Sequence, residues 1–161
     1  MAVVGGYSIA GASGRNSDAF TARIPESESE RCLKGIVACT ADGISSSNRA
    51  DEASQTAVIQ FANDYYDTPE TWTVRDAGSR VLLGLNRWML AQAANSAAQY
   101  DALVTTFTAL ILRSHTAYIL HSGDCRVYRY RSGKIECLTR DHVRTIAKNE
   151  QLLTSALGLE L

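Results

Sequence analysis

Val37-Ala38-Cys39-Thr40-Ala41-Asp42-Gly43 is an apolar run that stops at a carboxylate and opens into the serine-rich loop Ile44-Ser45-Ser46-Ser47. A strand ending in Asp42 would place a negative charge at the sheet edge, where it can meet a metal ion. Asp-Gly is also a common turn dipeptide, because glycine accepts positive φ and aspartate bonds its own backbone. Alone, then, Asp42-Gly43 reads as an ordinary turn. Two further aspartates stand at similar junctions. Asp18 follows the Gly/Ser/Asn loop 11–17 and opens a strand-like run to Ile24, and Asp124 follows Ser122-Gly123. If the strands at Asp18 and Asp42 pair, their carboxylates converge on one cleft. Strand-end carboxylates suit hard, oxygen-seeking ions such as Mg²⁺ or Mn²⁺.

Other chemistries leave less trace. There is no G-x-x-x-x-G-K-[ST], no G-x-S-x-G and no H-E-x-x-H. His115, His121 and His142 fall in separate segments, and each reads as structural. The four cysteines, Cys32, Cys39, Cys125 and Cys137, form no C-x-x-C pair and no zinc spacing, so they read as reduced thiols of a cytoplasmic protein.

The elements that must position these residues follow from pattern. The chain has 161 residues, 45% hydrophobic and 20% charged, with two prolines, which fits one folded domain with a real core. A net charge of −1 gives no reason to expect nucleic acid or an acidic membrane surface as partner. No apolar run approaches the roughly 18 residues of a membrane-spanning helix. A basic, then apolar secretion signal is not visible at the N-terminus.

Residues 3–10, 18–24 and 34–41 read as strands, with 25–31 as an exposed hairpin connection. Ala53, Ala57, Val58, Phe61, Ala62 and Tyr65 recur at helical spacing, and Pro69 follows the end of that helix. A second helix opens on the capping box Thr73-x-x-Asp76, carries Val74, Ala77, Val81, Leu85 and Trp88 on one face, and frays over 93–98. Residues 104–112, 116–121, 125–131 and 134–138 read as an antiparallel meander, with Ser132-Gly133 as a two-residue hairpin turn. Arg126, Arg129 and Arg131 read as a solvated strand face, and 143–153 as weakly helical. Strands, two long helices, then strands indicate an α+β fold with antiparallel sheets.

Six short pieces then carry a resemblance. They are Asn16-Ser17-Asp18-Ala19-Phe20, Ala41-Asp42-Gly43, Thr105-Thr106-x-Thr108-Ala109, Gly123-Asp124-Cys125-Arg126, Leu138-Thr139-Arg140-Asp141-His142 and Ala156-Leu157-Gly158. In this order they resemble the metal-dependent PPM-type (type 2C) serine/threonine protein phosphatases. The resemblance implies an antiparallel β-sandwich flanked by helices, a four-layer αββα arrangement. It implies hydrolysis of phosphoserine and phosphothreonine in proteins, without a covalent intermediate, by a metal-bound water or hydroxide at two Mg²⁺ or Mn²⁺ ions. By the same resemblance Asp42 bridges both ions, the Gly43 carbonyl is a backbone ligand, Asp18 is a supporting carboxylate, and Asp124 helps bind a further ion. Residues 65–72 and 85–88 also resemble a bacterial signalling subgroup in which the phosphatase-like half precedes a serine/threonine kinase.

The departures are specific. Ser17 stands where the family has Glu or Gln, the expected phosphate-binding arginine falls on Ser13 with Arg15 two residues later, and Ile44 cannot act as the histidine acid of some members. The family domain continues further and adds two metal aspartates near its C-terminal end. Residues 1–161 are therefore expected to be the N-terminal two-thirds of one such domain. The alternative is a catalytically inactive regulatory or binding module of the same fold.

Overall fold

The computed structural model describes residues 2–12, 14–94, 101–147 and 150–159. Four strands, β1 (Asp18–Arg23), β2 (Ile36–Asp42), β3 (Phe107–Arg113) and β4 (Thr116–Ser122), form one antiparallel sheet in the order β1-β2-β3-β4. A short helix, α1 (Glu28–Lys34), links β1 to β2. The long helices α2 (Ala50–Asp67) and α3 (Val74–Ala94) pack on one face of that sheet. Two separate ribbons follow, β5 (Tyr128–Arg131) with β6 (Lys134–Cys137), and β7 (Val143–Ala147) with β8 (Glu150–Leu153). The fold is α+β with antiparallel sheets, as expected. Of the four expected layers, the described residues form one helix layer on one four-stranded sheet, with β5–β8 as separate ribbons.

Alternation along β2 and β3 explains which face the helices cover. Val37, Cys39 and Ala41 are buried, as are Phe107, Ala109 and Ile111, and they meet Phe61, Tyr65, Leu85 and Met89 from α2 and α3. Residues two apart share a face of a strand, so Thr40, Asp42 and Leu112 lie on the open side. Met89 is buried in the core, while Trp88, expected on the core face, stays 43% exposed. Both long helices occupy the expected stretches. The Thr73 box is formed, with Asp76 N–H donating to Thr73 Oγ1 at 3.1 Å and the hydroxyl donating to Asp76 Oδ2 at 2.7 Å.

Three expected elements differ. The 25–31 connection is mostly α1, capped by Ser27, whose hydroxyl accepts the Glu30 amide at 3.4 Å. Acidic residues open it and Arg31 and Lys34 close it, which matches the helix dipole. Residues 3–10 form no strand, because a strand exists only through a neighbour's ladder and this segment is exposed, with Val3 at 82% and Tyr7 at 83%. Residues 143–147 and 150–153 form the β7–β8 ribbon, not a helix. Their β-branched Val143, Thr145 and Ile146 favour a pleated backbone. The fraying expected over 95–98 lies outside the described residues.

Tyrosines tie α2 to the entry of β2. Tyr65 OH donates to Lys34 O at 2.9 Å, and Tyr66 OH donates to Gly35 O at 2.8 Å and to Arg23 O at 3.2 Å. Lys34 Nζ in turn donates to Thr68 O and Oγ1. At the other end of the sheet Leu157 pairs with Thr105 through two backbone bonds of 2.9 and 3.1 Å, and Gly158 N–H donates to Asn86 Oδ1 at 2.7 Å. The Ala156-Leu157-Gly158 motif is thus a seam between α3 and the chain entering β3.

Candidate active site

Asp18 begins β1, Asp42 ends β2, and antiparallel pairing sets them directly opposite one another. The convergence expected from sequence is therefore a cross-strand carboxylate pair, an arrangement that is unfavourable for two negative charges. Asp124 sits beyond the end of β4, near enough that its charge acts on Asp42. Burial, first, then the Asp18 charge and a side-chain hydrogen bond with Asp18, then Asp124, push the Asp42 carboxyl up to about 6. A hydrogen bond between two carboxyl groups requires a proton on one of them.

The backbone holds this corner firmly. Asp42 N–H donates to Thr106 Oγ1 at 3.0 Å, and Asp42 O accepts from Thr106 N at 2.9 Å. Gly43 N–H donates to Ser17 O at 3.0 Å, so Ser17 contributes through its carbonyl. Gly43 admits no side chain: a Cβ there would stand 1.9 Å from Ala50 O, at the first turn of α2. Asp18 N–H is held by Asn16 Oδ1 at 3.0 Å.

The two aspartates open into a cleft of about 440 Å³, whose walls include Tyr7, Ile9, Phe20 and Cys125. Burial and the nearby carboxylates keep the Cys125 thiol above its ordinary pKa, against a bond from Thr106 that lowers it. A larger groove, about 510 Å³, lies between α2 and α3, but Asp64 is the one ionisable side chain among the described residues that line it. The smaller cleft is the acidic one, with both Asp18 and Asp42 in its wall.

Carboxylates and a glycine carbonyl are hard oxygen donors, so the set fits Mg²⁺ or Mn²⁺ in kind. Among the described residues, no three His, Cys, Asp or Glu side chains converge closely enough to complete a metal site. Asp18, Asp42 and Asp124 thus do not by themselves make a metal site among the described residues.

Other sequence expectations resolve differently. Arg15 donates to Asn48 O at 2.6 Å and to Asp51 Oδ1 at 2.9 Å, which holds it at the start of α2. Ser13 lies outside the described residues. His121 and His142, distant in sequence, meet with ring centroids 4.9 Å apart. Burial, and then the His142 ring, hold His121 below its usual pKa. Arg126 pairs with Asp141 and Arg129 with Glu136, all on the exposed side. Sequence reasoning missed Thr106 and Cys125 as neighbours of Asp42, and it missed residues 7–9 as cleft wall. In the sequence, the Thr105-Thr106-x-Thr108-Ala109 piece marked this stretch but not the contact with Asp42.

Comparison with known proteins agrees with this geometry. The chain matches the family model of protein phosphatase 2C over residues 6–158. Similar solved structures include a serine/threonine phosphatase of S. agalactiae, with TM-score 0.65, 22% identity, and 80% of this chain covered against 50% of that one. PppA, described as a key regulatory component of T6SS in Pseudomonas aeruginosa, aligns with TM-score 0.66 and 21% identity, covering 91% of this chain and 60% of its own. A point mutant of a bacterial serine phosphatase gives TM-score 0.67 and 19% identity, covering 89% of this chain and 59% of its own. No curated protein matches the chain. The chain spans 50 to 60% of the length of these solved structures. With the family model matched along nearly its whole length, the chain belongs to the protein phosphatase 2C family.

Proposed function

We propose that the cleft at Asp18 and Asp42, with Asp124 nearby, is part of a metal-dependent site that hydrolyses phosphoserine and phosphothreonine in proteins. The observation that carries this reading is the cross-strand Asp18–Asp42 pair, in which burial, and then the charges of Asp18 and Asp124, push the Asp42 carboxyl up to about 6. Carboxylates crowded against their own repulsion are what a divalent cation relieves. Asp42 and Asp124 would hold Mg²⁺ or Mn²⁺ through carboxylate oxygens and Gly43 through its carbonyl. Two such ions, when bound, supply neutralisation of phosphoryl charge and a lowered pKa for water. Asp18, opposite Asp42, would be the supporting carboxylate that orients water. Uncatalysed phosphomonoester hydrolysis is among the slowest reactions known, so positioning and charge must provide most of the acceleration. The substrate would be a phosphorylated protein, and a serine/threonine kinase, fused or neighbouring, would be the source of the ester.

The test combines calorimetric Mn²⁺ titration with hydrolysis of p-nitrophenyl phosphate. It compares this chain, any longer natural form that contains it, and Asp42→Ala in each. Expected are Mn²⁺ binding that Asp42→Ala removes, and hydrolysis in whichever form completes the shell, lost with the same substitution. Mn²⁺ binding that survives Asp42→Ala sinks the assignment. Binding without hydrolysis in any folded form replaces the enzyme with a regulatory module of the same fold.

A further inference from the structure

Thr106 is 2% exposed and touches both sides of the acidic cleft. Its hydroxyl oxygen accepts the Asp42 amide hydrogen at 3.0 Å and lies 3.1 Å from Cys125 Sγ. A hydroxyl has one proton and two lone pairs, so both bonds can form at once. The backbone makes the same link. Gly123 has φ +115, and a Cβ there would stand 2.5 Å from Thr106 Cβ. Residues 123 and 125 flank Asp124, so one buried side chain is in contact with Asp42 and with both neighbours of Asp124.

We propose that Thr106 is a positioning residue that fixes the separation of Asp42 and Asp124, with Cys125 as its second anchor. The inference rests on the metal-dependent reading above, because a shared cation is what that separation serves. Oxygen donors must be held within about 0.5 Å of a productive arrangement, and the residues that hold ligands are worth about 10–100-fold in metal affinity. Thr106 is suited to this role. It is rigid at χ1, its two bonds run in different directions, and it lies directly before β3, which is anchored in the core.

The experiment measures Mn²⁺ affinity, amide hydrogen exchange and thermal midpoint for the parent, Thr106→Val, Thr106→Ser and Cys125→Ala. Thr106→Val keeps the shape and removes the hydroxyl. It is expected to weaken Mn²⁺ binding by about 10–100-fold and to speed exchange at Asp42 and through residues 123–125. Thr106→Ser restores both, and Cys125→Ala speeds exchange in the 123–125 turn while Asp42 stays protected. A lowered midpoint with unchanged Mn²⁺ affinity would reduce Thr106 to a structural residue and overturn the proposal. So would failure of serine to rescue. If neither the parent nor a longer natural form that contains it shows Mn²⁺ binding that depends on Asp42, the phosphatase reading fails instead. The exchange data then decide the coupling separately, and unchanged exchange at 123–125 in Thr106→Val refutes it.

Discussion

Replacing Asp42 with asparagine should make the metal-free chain more stable at neutral pH, although it removes the residue at the centre of the site. Asp42 is raised from 3.8 to about 6, chiefly by burial and then by Asp18 and Asp124. A carboxyl whose pKa is higher folded than unfolded binds more protons in the folded chain between those two values. Its contribution to stability is therefore full below about pH 4 and is lost as pH rises through about 6. A rise of about two units corresponds to at most about 3 kcal/mol. Asp42 is open to solvent on one side, and screening reduces that figure to about 1–2 kcal/mol. Asp42→Asn keeps the shape and discards the charge. In EDTA at about pH 7.5 the variant should exceed the parent by that 1–2 kcal/mol, and near pH 4 the two should coincide. For a chain of this size the gain is about 2–8 °C in midpoint.

Thermal and urea unfolding across pH 4–8 measure the difference directly, because the pH dependence of groups that do not interact with Asp42 cancels between the two proteins. Added Mn²⁺ should reverse the order. At a hundredfold excess over Kd the parent gains about 2.7 kcal/mol and the variant does not. A variant that is less stable than the parent by the same amount at both pH values would refute the reasoning. Asp42 would then act through its shape and hydrogen bonds, and the charge cluster would carry no energy.

Three further perturbations probe the frame around the cleft. Gly43→Ala forces a Cβ to within 1.9 Å of Ala50 O. Either α2 or the end of β2 must shift, with a loss of at least about 1–3 kcal/mol, seen as a lower circular-dichroism midpoint. Tyr66→Phe leaves Gly35 O and Arg23 O without the phenol. It should cost about 1–2 kcal/mol, read as a lower urea midpoint with unchanged slope. Thr73→Ala removes the hydroxyl that caps the Asp76 amide and should cost about 1 kcal/mol, measured the same way.

The acid pair was legible in the sequence because its position depends on backbone alone. Asp18 opens one strand and Asp42 closes another, and an antiparallel ladder between them leaves no other outcome. The long helices were legible for a similar reason, since Ala53, Ala57, Phe61 and Tyr65 repeat with the period of the element they form. α1 was not, because Glu28-Ser29-Glu30-Arg31 carries no apolar stripe and declares itself only through its Ser27 cap and the order of its charges. Residues 3–10 failed in the opposite sense, with strand-like composition and no ladder to join. The Thr106 contacts belong to a third kind. Thr106 reaches Asp42 across 64 positions and Cys125 across 19, and neither separation nor residue type marks the meeting. A carboxylate that needs only a strand end can be read from local pattern. A residue that touches that aspartate from another part of the chain depends on two side chains arriving together, which the packing of β2, β3 and the 123–125 turn decides.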